Sequence, residues 1–101
     1  MNRRLELQEL LENLLGSRNV YFQPPTGFQM AYDCIVYSRS HISTSFANNQ
    51  PYMLNDRYLV TVIYRDPDSD LPKKIALLPQ CAHDRHYTRD NLNHDTFTLY
   101  F

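Results

Sequence analysis

Residues 57–64 read Arg-Tyr-Leu-Val-Thr-Val-Ile-Tyr. A near-continuous run of β-branched and aromatic residues suits a strand covered on both faces, so this segment is expected at the centre of a sheet. The rest of the chain must be arranged around it. With 101 residues, the chain allows one domain, 1–101, that buries roughly 60–65% of the surface its unfolded form exposes. That suffices for one core, but not for a core plus a deep, sheltered active site.

The flanking segments supply strands and helices in alternation. Residues 2–15 read as an amphipathic helix, because Leu7, Leu10, Leu11, Leu14 and Leu15 recur at helical spacing and share a face. Gly16 supplies its stop. Residues 20–22 form a short strand or extended entry, broken by Pro24, Pro25 and Gly27. Residues 32–38 are a second β-rich run. The turn Asp66-Pro67-Asp68-Ser69-Asp70 leads into a second helix, with Ser69 or Asp70 as cap, Pro72 in the first turn and Leu71, Ile75 and Leu78 on one face. Two more strands, 82–89 and 94–101, flank a turn at residues 90–93. In the last strand Phe97, Leu99 and Phe101 alternate with Thr98 and Tyr100, which gives it an inner and an outer face. The expected fold is α+β, one mostly antiparallel or mixed sheet with two helices packed on one face.

Residues 39–56 fit this scheme least well. They are rich in Ser, Asn and Thr, interrupted by Phe46, Tyr52 and Met53. Connections of such length are uncommon in compact domains. The segment reads either as a wide hairpin whose aromatics fold back on the sheet or as an arm that enters a neighbouring subunit.

Few patterns carry chemistry. Asp66-x-Asp68-x-Asp70 begins like a calcium loop, but Leu71 and Leu77 stand where the loop needs Gly and a bidentate Glu. Cys81, His83, Asp84, His86, Asp90, His94 and Asp95 form a denser cluster, open to a metal-ligand or nuclease reading. The spacing opposes it, since His83 and His86, three apart on a strand, are expected on opposite faces. Glycine occurs only at Gly16 and Gly27, which leaves no phosphate-cradling loop. No catalytic, cofactor or metal residue is therefore assigned. A net charge of −1 argues against nucleic-acid binding by bulk electrostatics. No stretch approaches the ~20 apolar residues of a membrane helix. Acidic residues interrupt the N-terminal segment, so secretion is not expected. Spacing leaves a Cys34–Cys81 disulfide open, but without a secretory signal both are read as buried free thiols.

Several blocks together carry a resemblance. They are Val20-Tyr21-Phe22-Gln23-Pro24-Pro25, Ile35-Val36-Tyr37-Ser38-Arg39, Ala47-Asn48-Asn49, Tyr58-x-Val60-Thr61-Val62-Ile63 and Asp66-Pro67-Asp68-Ser69. The last runs Asp84-Arg85-His86-Tyr87-Thr88-x-Asp90-Asn91-Leu92-Asn93-His94-Asp95-x-Phe97. The chain resembles the tail-terminator or tail-completion (tail-to-head joining) proteins of long-tailed bacteriophages. The resemblance implies a structural subunit of a ring, usually six-fold, in the virion neck and assembled in the host cytoplasm. Such a ring caps the tail tube protein, meets the head–tail connector protein and passes DNA through its lumen unread. Head-closure and connector-adaptor proteins are the alternatives within the neck, and a small metal-dependent nuclease is the alternative outside it. Subunit or partner contacts are expected at Arg39, Phe46, Asn48, Asn49, Tyr52, Arg85, Tyr87, Asn91, Asn93 and Tyr100.

Overall fold

A computed structural model gives an α+β fold, one mixed five-stranded sheet with two helices. It describes residues 3–47 and 50–101, with the backbone alone for residue 3 and residues 40–47 and 50–56. In chain order the elements are α1 (Arg3–Leu15), β1 (Val20–Phe22), β2 (Cys34–Ala47), β3 (Gln50–Tyr64), α2 (Leu71–Ala76), β4 (Cys81–Arg89) and β5 (Leu92–Tyr100). The strands lie in the order β1-β2-β3-β5-β4. β1 runs parallel to β2, and the other neighbours are antiparallel.

β3 is central, as its composition predicts, with β2 on one side and β5 on the other. Its two faces are not equally covered, however. Val60 and Val62 are wholly buried, whereas Leu59, on the opposite face, is 40% exposed. β-branched content reports a fit to a pleated surface and does not by itself require cover on both sides.

Register explains the core. Ile35 pairs with Val62 and Tyr37 with Val60 on one side of β3, and Phe97 pairs with Val60 and Leu99 with Tyr58 on the other. Directly opposed residues share a face, so these form one apolar layer. Leu7 and Leu11 of α1 and Leu71 and Ile75 of α2 join them in a single buried cluster. Leu10, Leu14 and Leu15 pack around its rim.

Polar residues fasten α1 to this layer. The Tyr37 hydroxyl, buried with its ring, donates to Gln8 Oε1 at 2.5 Å, and Gln8 Nε2 donates to the Val20 carbonyl at 2.9 Å. A buried hydroxyl left without a partner would be destabilising. Gln8, one turn from Leu11, supplies that partner from the edge of the apolar stripe. The helix ends where Gly16, at φ +83°, donates its N–H to the Glu12 carbonyl, a conformation for which glycine has no steric penalty. At α2, Asp70 holds the cap position without a side-chain cap bond, while the Leu71 N–H donates to Ser69 Oγ at 3.3 Å.

Two connections differ from the sequence expectation. The β4–β5 turn is tighter than residues 90–93, because Arg89 already pairs with Leu92. Asp90 (φ +54°) and Asn91 (φ +63°) alone make it, the two left-handed residues of a type I′ turn, which matches strand twist. Residues 39–56 continue both strands as an antiparallel ladder, past the ends expected at residues 38 and 57 and compatible with both readings of the segment. β2 continues to Ala47 and β3 begins at Gln50, and they stay paired from His41↔Arg57 to Ala47↔Gln50, with one register shift between Ser45 and Phe46. A ladder needs backbone groups, not apolar side chains, so Ser and Asn content concealed it. Asn48 and Asn49, the expected tip, lie outside the described residues.

The strands consequently outrun the helices. β3 has 15 residues and α1 has 13. At ~3.3 Å and 1.5 Å per residue they span about 50 Å and about 20 Å. The molecule measures 51 × 24 × 23 Å.

Candidate functional site

Asp95 is the one buried carboxylate among the described residues, at 5% exposure. It sits on β5 opposite Val62, on the face that carries the core. Three side chains converge on it. The Tyr64 hydroxyl donates to Oδ2 at 2.5 Å. His83 Nε2 and His86 Nδ1 both reach Oδ1, at 2.9 Å and 3.0 Å. An ionised carboxylate only accepts, so the proton sits on Nε2 of His83 and on Nδ1 of His86.

This convergence contradicts the expectation that the two histidines face opposite ways. The register of β4 on β5 slips between His83↔Phe97 and Arg85↔Thr96. Asp84 is the extra residue of a β-bulge, and one inserted residue cancels one alternation. His83 and His86 therefore oppose Phe97 and Asp95, two apart on one face of β5. The edge strand is bound to its neighbour by two imidazoles at once, and through Asp95 to Tyr64 on β3. The His83 ring also meets Phe97 edge-on, with centroids 5.2 Å apart.

Electrostatics follow from this geometry. Burial alone would raise the Asp95 pKa, but the donors Tyr64, His83 and His86 outweigh it and hold the carboxyl below its ordinary value. The Tyr64 hydroxyl shifts upward, by burial and by its bond to that carboxylate. Beside the cluster is a cleft of about 310 Å³, whose wall includes Ser69, Lys73, His83 and Asp95. With both oxygens engaged, Asp95 acts as a clasp. Among the described residues no group of three or more His, Cys, Asp or Glu side chains is placed to hold a metal ion.

The remaining members of the sequence cluster disperse. His94 lies on the other sheet face, stacked on Tyr87 at 4.8 Å and 13°. Asp84 Oδ2 accepts from Thr96 Oγ1 at 3.4 Å, and Asp90 is in the turn. Cys34 and Cys81 are both free thiols. Cys34 is buried, but Cys81 is half-buried, because the core cluster covers only part of it. Burial, helped by the Asp33 charge, pushes the Cys34 thiol up to about 11. Tyr64 escaped the sequence reading because it looked like one more β-former. Its position at the exit of β3, in register with Asn93, was the available signal.

The residues expected at contacts fall into separate groups. Arg85 and Tyr87 share the sheet face opposite the core, the guanidinium 4.8 Å above the Tyr87 ring. Tyr100 also lies there, 36% exposed and paired with Arg57. Asn91 is exposed in the turn, while Asn93 Nδ2 donates to the Tyr64 and Arg65 carbonyls at 3.4 Å. Arg39 donates to the Tyr58 hydroxyl at 3.4 Å. Phe46 and Tyr52 lie on the extended β2–β3 ladder, with side chains outside the description.

No protein-family model, curated protein or solved structure matches this chain.

Proposed function

We propose that the protein is a structural subunit of the neck of a long-tailed bacteriophage. Copies of it form a ring, six in number, that caps the tail tube protein and joins it to the head–tail connector protein. DNA passes through the lumen without being read. The subunit works by assembly, with no reaction and no cofactor, in the virion neck after assembly in the host cytoplasm.

One observation carries this reading. Beyond the row His41↔Arg57, among the described residues, β2 and β3 have only each other as registered partners. An isolated two-stranded ribbon is marginally stable in water and gains stability from packing against something else. A subunit whose own helices stop short of its sheet is suited to completing that sheet in an assembly. A contact between unlike surfaces, repeated about an axis, closes a ring.

The test is reconstruction of particles that carry the subunit. Density for several copies is expected around the axis at the head-proximal end of the tail, and particles made without the protein are expected to show unjoined heads and tails. Absence of the protein from purified particles, or normal joining without it, would overturn the proposal.

A further inference from the structure

The net charge of −1 conceals a local excess of the opposite sign. Register places Arg57 of β3 and Arg85 and Arg89 of β4 on the sheet face opposite the core. Asp84 is the one carboxylate that a described strand side chain adds to this face, and its Oδ2 accepts from Thr96 Oγ1 at 3.4 Å. Three arginines and one carboxylate give the face +2, so the rest of the chain sums to −3.

The arginines form a track. Arg85 and Arg89, both exposed, are four residues apart on β4, about 13 Å. Arg89 pairs with Leu92, and Arg57 with Tyr100 eight residues further along β5. Eight residues along and two strands across make the track about 28 Å long. Arg85 is also ordered in advance. Its guanidinium lies 4.8 Å above the Tyr87 ring, and that ring stacks on His94 at 4.8 Å. A guanidinium held against a ring is fixed without spending its N–H donors. Among the described residues, no ion pair or side-chain hydrogen bond takes those of Arg85 or Arg89.

We infer that this face binds the phosphate backbone of a nucleic-acid duplex, without reading its sequence. Charge is complementary, and so is its spacing. Each strand of a duplex repeats a phosphate every ~3.4 Å along a straight axis, so phosphates line the whole track, whereas the carboxylates of an acidic protein keep no such repeat. An unpaired strand fits less well, because it is held largely by bases stacking on free aromatic rings, and Tyr87 already spends its ring on Arg85 and His94. Phosphate contacts position a duplex and carry no sequence information. The inference goes beyond the ring reading, since one isolated subunit carries the entire track.

Fluorescence anisotropy of a labelled DNA duplex, titrated with the full chain over a range of salt concentrations, is the test. Three phosphate contacts predict a slope of log affinity on log salt of about −2.7. The double variant Arg85→Gln/Arg89→Gln, melting like the parent, is expected to reduce the slope to about −0.9. Tyr87→Leu keeps all three charges and removes the ring behind Arg85, so it is expected to weaken binding several-fold at an unchanged slope. A duplex of shuffled sequence is expected to bind equally well. Four results would each overturn the inference: no binding at the lowest salt, a slope that the folded double variant leaves unchanged, tighter binding of a single strand than of the duplex, or equally tight binding of poly-glutamate.

Discussion

Between Tyr58 and Tyr64, β3 is flanked by β2 and β5, and its inner residues meet leucines of α1. From Asp56 back to Gln50 the same strand, among the described residues, has β2 alone as its registered neighbour. One covalent strand thus serves two regimes, a body that buries its own apolar layer and an arm whose backbone ladder runs on with one partner strand. The difference separates what makes a strand from what makes it stable. Backbone pairing extends the ladder wherever two strands run together, but stability comes from apolar burial, which the body has, and a two-stranded ribbon by itself is marginal.

Substitutions in the two regions should separate them sharply. Phe97→Ala, in the fully buried layer, is expected to cost about 3–5 kcal/mol. Urea denaturation should show this as a lower midpoint of one cooperative transition. A loss below ~1 kcal/mol would mean that the body is not a single packed unit.

Asp95→Asn removes the charge and replaces one of the two acceptor oxygens with an NH2 donor, so it can no longer accept from Tyr64 and both imidazoles, and is expected to cost about 1–3 kcal/mol at neutral pH. The pH dependence has a definite sign. The folded pKa of Asp95 is lowered, so its contribution is fully present above the unfolded value, 3.8. It is lost as the pH falls through the lowered folded value. The parent should therefore lose stability more steeply than the variant below about pH 4. Parallel acid-denaturation curves for the two proteins would contradict the clasp.

The turn should respond more modestly. Asn91 holds φ +63°, so Asn91→Val is expected to cost about 1–2 kcal/mol by thermal melting, whereas Asn91→Gly is tolerated. Equal effects of Val and Gly would show that the hairpin does not depend on a type I′ geometry.

The smallest effect on folding belongs to the arm. Deleting residues 45–50 leaves a three-residue connection between Thr44 and Leu54 and is expected to change stability by no more than ~0.5 kcal/mol. The same deletion is expected to abolish assembly, measured by sedimentation. Unfolding of the shortened subunit would show that the arm belongs to its own core.

Much of the body was legible in the sequence, because periodicity there reports burial. The spacing of Leu7 and Leu11, and the alternation of Phe97, Leu99 and Phe101 against Tyr100, are direct images of the core. The Asp95 cluster was named but misplaced. Strict alternation separates His83 from His86, and only the slip at Asp84 reunites them. A bulge follows from how one strand pairs with another, and neither strand carries it alone. The arm was hidden for a related reason. Its few apolar residues, such as Ile42, Phe46 and Leu54, are divided between two strands with polar residues between, so the ladder becomes visible only once register is known.

Hydrogen exchange followed residue by residue, in the isolated subunit and in the assembly, tests the contrast most directly. Amides of residues 58–64 should be protected in both states. In the isolated subunit those of residues 41–47 and 52–56 should exchange far faster, close to the rate of a ribbon that opens locally, and in the assembly they should slow to the rate of the body. Arm amides as protected as the body in the isolated subunit, or still unprotected in the assembly, would contradict the account.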